Sequence, residues 1–348
     1  MDKGHEMTED IIKKMENRIA REYKRATEEV TEKYEDYLRR FEVKNRIKLS
    51  QLEREVITKQ EYIQWRTGQI AIGERWKEMR DTLAEDFHNA NMIARSIEEG
   101  YMPEIYALNH NYATYQIEHS GLIDTSYSLY RRETIERLVK DDKLQLLPPP
   151  SKWGRTAKRL RENPDLIWNK QHLQSAIMQG ILQGESIPQM AKRVEEVGEM
   201  NHKAAIRNAR TMATTAQNTG RYDAILRAKE LGVEQTIEWQ ATLDERTRTS
   251  HRRMHGQRRD VGKPFEVDGV EIFYAGDPNA PQEQLWNCRC TLLSWVKGYE
   301  GDTVKSSPKM GDMTFEEWIE AKPVSRHITA QEETAQRMRA YYSQRYKQ

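Results

Sequence analysis

The sequence predicts a mainly α-helical fold, with an elongated helical N-terminal region and a small α+β domain towards the C-terminus. Three observations predict it. Apolar residues in the first 41 positions recur at helical spacing, helical text dominates as far as Gly232, and two-residue alternation appears only after that glycine. With 348 residues the chain is long enough for two domains and a real core. It is 37% hydrophobic and 32% charged, which suits long helices with much exposed surface. Aromatic content of 8%, including 8 Trp and 16 Tyr, argues against wholesale disorder.

The first element is a long amphipathic helix. Ile12, Met15, Ile19, Tyr23, Ala26, Val30, Tyr34, Tyr37 and Phe41 are spaced by 3 or 4 throughout, 29 residues in eight steps. That mean of 3.6 is the period of one face of a straight helix, whereas a sustained supercoil holds nearer 3.5. The helix is therefore expected to pack on its own domain. Helical text continues through ERWKEMRDTLAEDFHNANMIARSIEE and is expected to stop at Gly100, with Pro103 beyond. The stretch YALNHNYATYQIEH reads as a packed polar helix face. After RRETIERLVKDD, three prolines at 148–150 cannot continue a helix and mark a stiff linker.

The middle resumes with NKQHLQSAIMQGILQG. In ESIPQMAKRVEEV, Ser186 can cap a helix and Pro188 suits its first turn. A longer helix, HKAAIRNARTMATTAQNTGRYDAILRAKELG, is closed by Gly232. One face carries Ile206, Ala209, Ala213, Ala216 and Gly220, small residues that permit close packing. The opposite side, Arg207, Arg210, Thr214, Asn218 and Arg221, is expected to be solvated or to meet phosphates or a partner's acids. Beyond Gly232, TIEWQAT alternates as a strand, VDGV signals a turn between β-prone runs, and CRCTLLSWV reads as a closing strand. MTFEEWIEA and TAQEETAQRMRAYYSQRYKQ follow as two tail helices. The expected organisation is a helical region 1–147, a proline-containing linker 148–168, a helix-plus-β domain 169–299 and a helical tail 300–348.

Charge cancels globally, with 56 basic against 55 acidic residues. Locally it does not: residues 151–260 carry 20 basic and 13 acidic side chains, an asymmetry that points towards a polyanionic partner. Both cysteines lie in NCRC, which excludes a disulfide framework and fits a reducing compartment. The opening MDKGHEMTED lacks the charged-then-apolar pattern of a secretory leader, and no apolar run approaches the roughly 20 residues that span a bilayer. No membrane partner is expected, and synthesis in the cytoplasm is.

Chemistry concentrates in DERTRTSHRRMHG, residues 244–256. Asp244, His251 and His255 can act as acid and base, with Cys288 as nucleophile. No glycine-rich loop or nucleophile elbow accompanies them, so no catalytic residue and no cofactor is expected. His251, Cys288 and Cys290 are metal-type ligands, with Asp244 or His255 as a fourth. Their Cys-x-Cys spacing is tighter than zinc sites usually show, and buried thiols acting as small hydrophobes explain the pair equally. No metal site is assigned on this reading, and whether these residues bind one stays open. Arg246, Arg248, Arg252, Arg253, Arg258 and Arg259 follow one another with no acid between, and guanidinium forks suit phosphates without reading sequence.

Taken together, ARTMATTAQNTGRYDAILRAKELG, WQATLDERTRTSHRRMHGQ, AGDPNAP and NCRC resemble the phage Mu F-type family of head morphogenesis proteins, also called minor head or minor capsid proteins. The matching positions are Ala209, Arg210 and Thr211; Trp239; Asp244, Arg246, Thr247, Arg248 and His251; Gly256; and Asn287, Cys288, Arg289 and Cys290. The resemblance covers about Lys170 to Thr291, with a looser likeness upstream. Two positions depart from it: Met212 stands where the family often has an acid, and His255 where it usually has Asp. The resemblance implies a structural, non-enzymatic role for the motif, in a low-copy head component of a tailed phage or prophage. It implies residence inside the head or procapsid near the portal, after synthesis in the host cytoplasm. The implied partners are the portal protein, packaged double-stranded DNA bound non-specifically, and coat or scaffold protein. Arg252, Arg253, Arg258 and Arg259 are expected to face DNA or portal acids, while Asp244 and the first arginines fix a turn and His251 packs towards NCRC. The alternative is a phage-delivered effector or nuclease-like enzyme with a His/Cys metal site.

Overall fold

A computed structural model describes residues 3–140, 163–299 and 304–324. The chain is mainly helical, with long N-terminal helices and a small sheet-containing C-terminal region. In order come α1 (Lys3–Arg39), α2 (Glu42–Glu53), α3 (Lys59–Thr67), a π-helical turn (Gly68–Ile72), α4 (Glu74–Gly121), β1 (Ile123–Asp124), α5 (Arg132–Lys140), α6 (Pro164–Leu182) and α7 (Ile187–Glu230). Then follow β2 (Val233–Gln240), α8 (Thr249–Met254), β3 (Arg258–Asp260), β4 (Phe265–Val267), β5 (Val270–Ile272), α9 (Gln282–Leu285), β6 (Thr291–Tyr299), β7 (Lys305–Ser306), a 3-10 turn (Pro308–Asp312) and α10 (Phe315–Ala321).

Residues divide into two compact units. A helical unit takes Glu16–Ile97 and Pro150–Ile206; a mixed unit takes Met1–Met15, Glu98–Pro149 and Arg207–Gln348. Of the stretch expected to be a linker, residues 148–162 lie outside the described residues. Pro164–Trp168 forms the first turn of α6 instead, because Asn163 accepts the Asp165 amide at 2.9 Å and proline suits the first helical position. The second expected tail helix, from Thr329 on, also lies outside the described residues.

The helical unit follows from apolar periodicity. All nine predicted positions are at most 7% exposed, although α1 ends at Arg39, short of Phe41, and Ile12 and Met15 belong to the mixed unit. Val30, Tyr34 and Tyr37 of α1 join Trp76, Leu83 and Phe87 of α4, Leu173 and Ile177 of α6, and Met190 and Val194 of α7 in one core. Termini are set by side chains: Thr58 and Glu61 close a reciprocal capping box on α3. At the start of α7, the Ser186 amide and hydroxyl both donate to Gln189 Oε1, at 2.8 and 2.9 Å, and the Ser186 carbonyl accepts the Met190 amide.

Two expected helix ends are absent. The helix expected to stop at Gly100 runs on as α4 to Gly121, with Pro103 inside it. Met102, Ile105, Tyr106 and Ala107 are all buried around that proline, so packing overrides the lost backbone hydrogen bond. Likewise ESIPQMAKRVEEV and HKAAIRN form one continuous helix, α7. Gly198 lies inside it because a Cβ there would meet Thr27 Oγ1 at 2.3 Å; it permits a close approach and breaks nothing.

In the mixed unit, β2 is the centre of a three-stranded antiparallel sheet ordered β3-β2-β6. β4 and β5 form a hairpin around Asp268 and Gly269, both with positive φ (54° and 74°), the turn that VDGV predicts. The second half of α7 lies beneath this sheet region. It is buried at every position from Thr211 to Ala228, so the side expected to be solvated is so only at Arg207 and Arg210, while Thr214, Asn218 (0% exposed) and Arg221 (2%) are buried. A crossing with α4 is tight enough that a Cβ on Gly220 would meet the Tyr106 carbonyl at 2.5 Å. The buried polar face expected of YALNHNYATYQIEH is present: Asn111 accepts from Tyr127 Oη and Tyr130 N, and His110 Nδ1 lies 2.9 Å from Tyr127 Oη.

Candidate functional site

The predicted motif residues gather where three segments meet: the loop and short helix α8 after β2, the extended residues leading into β6, and the mid-section of α7. Trp239, 1% exposed near the end of β2, is where the chain leaves the sheet. It exchanges backbone hydrogen bonds with the far end of the loop, Trp239 N to Gln257 O at 3.0 Å and Gly256 N to Trp239 O at 2.9 Å. Gly256 sits at φ +77°, a conformation that favours glycine. Its neighbour His255 accepts the Ala241 amide through Nδ1 at 3.2 Å, which closes the loop's neck.

Inside the loop, Asp244 organises the turn. Its Oδ1 accepts the Arg246 amide at 3.0 Å and the Thr247 hydroxyl at 3.1 Å, an Asx turn that starts the approach to α8. The carboxylate is gripped by Arg289, with two parallel hydrogen bonds of 2.6 Å, and not by Arg246 or Arg248 as expected. Arg246 contributes its backbone, and Arg248 reaches the Trp286 carbonyl. The hydrogen bonds from Arg289 hold the Asp244 carboxyl well below the usual carboxylate range. Thr242 Oγ1 donates to the Arg289 carbonyl at 2.8 Å, a second link between loop and strand.

Extended backbone explains Cys-Arg-Cys. Residues two apart point to one face, so Cys288 and Cys290 turn inwards while Arg289 turns outwards to Asp244. Asn287, at φ 57°, makes the reversal after α9 that begins this run. Both thiols are free and buried, at 3% and 2% exposure, and His251, 2% exposed, faces them from α8. His251 Nδ1 lies 3.3 Å from Cys290 Sγ and 3.7 Å from Cys288 Sγ, so His251 does pack against NCRC. Hydrogen bonding from the Cys288 thiol, with His251 beside it, pulls the Cys290 thiol down; donating that bond, together with burial, pushes Cys288 up. The imidazole packs edge-on to Trp239, with ring centroids 5.3 Å apart.

Helix α7 fixes this arrangement from below, with residues that sequence reasoning assigned to a solvated side. Asn218 Nδ2 donates to the Cys290 carbonyl at 2.9 Å and its Oδ1 accepts from Thr291 Oγ1 at 3.0 Å. Arg221 donates to the Leu292 carbonyl at 2.9 Å. Of the Ala-Arg-Thr motif, Ala209 is buried, Arg210 is exposed 3.9 Å from Glu9, and Thr211 accepts the Asn287 amide at 3.0 Å. The available signal was the i, i+3 spacing of Asn218 and Arg221 on a helix with apolar residues on every side.

The remaining arginines lie at the surface. Arg252 donates to the Thr247 and Asp244 carbonyls and Arg253 pairs with Asp268. Arg258 pairs with Glu238 at 2.7 Å and lies over the Trp295 ring, 4.5 Å from its centroid. Arg259 donates to the Arg258 carbonyl at 2.8 Å. The site as a whole is thus two joined devices: a self-neutralising acid–guanidinium clip at the surface and a buried thiol–thiol–imidazole cluster below it.

The model of the family described as Phage Mu protein F like protein matches residues 171–293. Two relatives match parts of the chain. NAD(+)–arginine ADP-ribosyltransferase EFV of Enterococcus faecalis is 29% identical over 228 residues, 65% of this chain and 43% of that protein. Minor head protein GP7 of Bacillus phage SPP1 is 31% identical over 144 residues, 40% of this chain and 44% of that protein. The chain thus spans less than half the length of these relatives. No solved structure matches it. The matched stretch, about a third of the chain, contains every motif residue from Ala209 to Cys290, and over it the chain is similar to the family described as Phage Mu protein F like protein.

Proposed function

We propose that this chain is a minor capsid protein of a tailed phage or prophage. In this reading it associates with the portal vertex inside the head during procapsid assembly and DNA packaging or delivery, and it catalyses no reaction. The observation that carries the reading is the family match over residues 171–293, and the 31% identity over 144 residues to a protein named as a minor head protein supports it. The use of the motif supports it: Asp244 and Arg289 consume each other's charge, and Trp239, Gly256 and Asn287 serve backbone geometry. Co-expression with the product of the neighbouring upstream gene, which the resemblance predicts to be a portal protein, followed by native mass spectrometry, tests the proposal. A portal ring carrying a few copies of this chain is the expected result, and a chain that stays alone in the presence of assembled portal overturns it.

Packaged double-stranded DNA is the second partner in this reading, with coat or scaffold protein as a third. Arg252, Arg253, Arg258 and Arg259 are the proposed contacts. Arg253 and Arg258 already pair with Asp268 and Glu238, so the contact is weak, salt-sensitive and blind to sequence. Changing all four to Ser lowers DNA affinity at low salt; unchanged affinity removes DNA from the partners. One observation favours a second reading, an effector with a His/Cys metal site: His251, Cys288 and Cys290 do meet. Hydrolysis of plasmid DNA by the clean chain, abolished in His251→Ala, would establish that reading over the first.

A further inference from the structure

We propose that Cys288, Cys290 and His251 form a binding site for a thiophilic metal ion, zinc by preference, held by both sulfurs and by His251 Nδ1. The proposal is independent of the assembly reading, since a structural ion serves an assembly protein and an effector alike.

Geometry carries it. The three ligand atoms lie within 4.8 Å of one another and all three residues are buried. His251 Nδ1 stands 3.3 Å and 3.7 Å from the two sulfurs. A tetrahedral zinc ion, with Zn–S of about 2.3 Å and Zn–N of about 2.0 Å, sets an N···S separation of about 3.6 Å. The observed distances fall on either side of that value. Two sulfurs and an imidazole are also the donor set that selects soft ions over magnesium or calcium. With both thiols deprotonated, a divalent ion makes the cluster neutral, which is the form a buried site tolerates. Binding releases to solvent whatever protons the thiols still carry.

The ligands are already held in place. Asn218 fixes the Cys290 carbonyl, Thr211 holds the Asn287 amide, and Arg248 holds the Trp286 carbonyl. Such support keeps ligands in position before an ion arrives. His251 Nε2 is buried with no hydrogen-bond partner among the described residues, so no donor there calls for its lone pair. The tautomer protonated at Nε2 turns the Nδ1 lone pair towards the two sulfurs, which is the form that binds a metal. The two residues that sequence spacing offers as a fourth ligand are engaged elsewhere, Asp244 by Arg289 and His255 by the Ala241 amide. Among the described residues the protein therefore supplies three ligands, and the fourth position falls to water or to an outside donor.

The chain contains only two cysteines, so any metal–thiolate signal belongs to this site. The full-length chain is purified under reducing conditions, its metal content measured by native mass spectrometry, and cadmium added while thiolate-to-metal absorption is followed in the ultraviolet. We expect one ion per chain, and binding weakened about tenfold or more in Cys290→Ser and in His251→Ala. Arg246→Ser, an exposed change outside the cluster, should bind as the parent does. A folded wild-type chain that carries no zinc and develops no cadmium–thiolate band overturns the proposal. So does a band of full strength in the Cys288→Ser/Cys290→Ser chain. The wild-type measurements decide the matter even where a variant fails to fold.

Discussion

The two units bury their interiors by different means. In the helical unit, Val30, Tyr34, Trp76, Phe87, Leu173, Ile177 and Val194 form an apolar core in which shape and area do the work. In the mixed unit an apolar cluster is threaded by buried polar side chains: Asn218 and Arg221 bind carbonyls of the β6 region, and Glu118 is 0% exposed. Non-directional burial tolerates substitution at a cost set by volume. Directional bonds in a dry interior are costly to half-remove, because the surviving partner stays buried and unsatisfied. The units should therefore respond differently to mutation.

Glu118 gives the largest expected effect. Its carboxylate accepts from the Thr125 amide at 2.9 Å, the Thr125 hydroxyl at 2.5 Å and Trp318 Nε1 at 2.6 Å, and pairs with Lys322 Nζ at 2.9 Å. It ties α10 to α4 and strand β1. Glu118→Ala should cost about 4 kcal/mol, since breaking a buried ion pair strands the opposite charge. Glu118→Gln should recover only part of that, because Lys322 still lacks its counter-charge. Urea denaturation of the full chain measures both, and a cost for Glu118→Ala below about 1 kcal/mol would erase the contrast between the units.

Ile177, fully buried in the helical unit, is the matching test. Ile177→Ala should cost about 3 kcal/mol and Ile177→Val about 1 kcal/mol, scaling with the methyl groups removed. Because no titratable partner is involved, neither cost should change between pH 5 and 8. A marked pH dependence would mean that the apolar core is coupled to charged groups after all.

That contrast also governs how much was legible in the sequence. The α1 stripe was readable because only one side of that helix is buried, so its apolar period survives in the text. Strand β2 and the Asp268–Gly269 turn were readable for a similar reason, through alternation and a turn dipeptide. The second half of α7 was not, because burial on every side removes the period, and Asn218 and Arg221 then look like a solvated stripe. Cys-Arg-Cys was recognisable, yet its partners Asp244 and Asn218 lie 45 and 72 residues away, a pairing that only the fold reveals. Gly100 and Pro103 misled for another reason: they carry a helix-stop signal that packing at Met102 and Ile105 overrides.

Gly198 turns this last point into a smaller test. A glycine with open space around it inside a helix should accept alanine with a gain; one in contact with Thr27 Oγ1 should not. Gly198→Ala should cost about 1–3 kcal/mol, the usual range for overpacking. Gly198→Ala combined with Thr27→Ser, which keeps the hydroxyl but removes the methyl group that a new Cβ would also meet, should recover part of the loss. Thermal unfolding of the single and double variants decides it, and a stabilised Gly198→Ala chain would show that no close contact at this position requires glycine.

The smallest effect is expected at the surface clip, and it depends on pH. Arg289 holds Asp244 below the usual carboxylate range, with the Thr247 hydroxyl and the Arg246 amide adding to the same direction. The folded pKa is thus lower than the unfolded value of about 3.9, so between the two the unfolded chain binds more protons and stability rises with pH. The contribution is fully present above the unfolded value and is lost as pH falls through the folded one. Both side chains are more than a third exposed, so salt should weaken it. Asp244→Asn should therefore be less stable than the parent at pH 6 in low salt, and the gap should close as pH drops below about 4. A gap that persists unchanged at low pH would mean that Asp244 matters for its turn hydrogen bonds alone, which Asn can partly keep, and that the pairing with Arg289 contributes only position. In that case the clip would resemble the buried polar groups of its own unit, prized for direction, and charge would have no separate part in holding the loop to the strand.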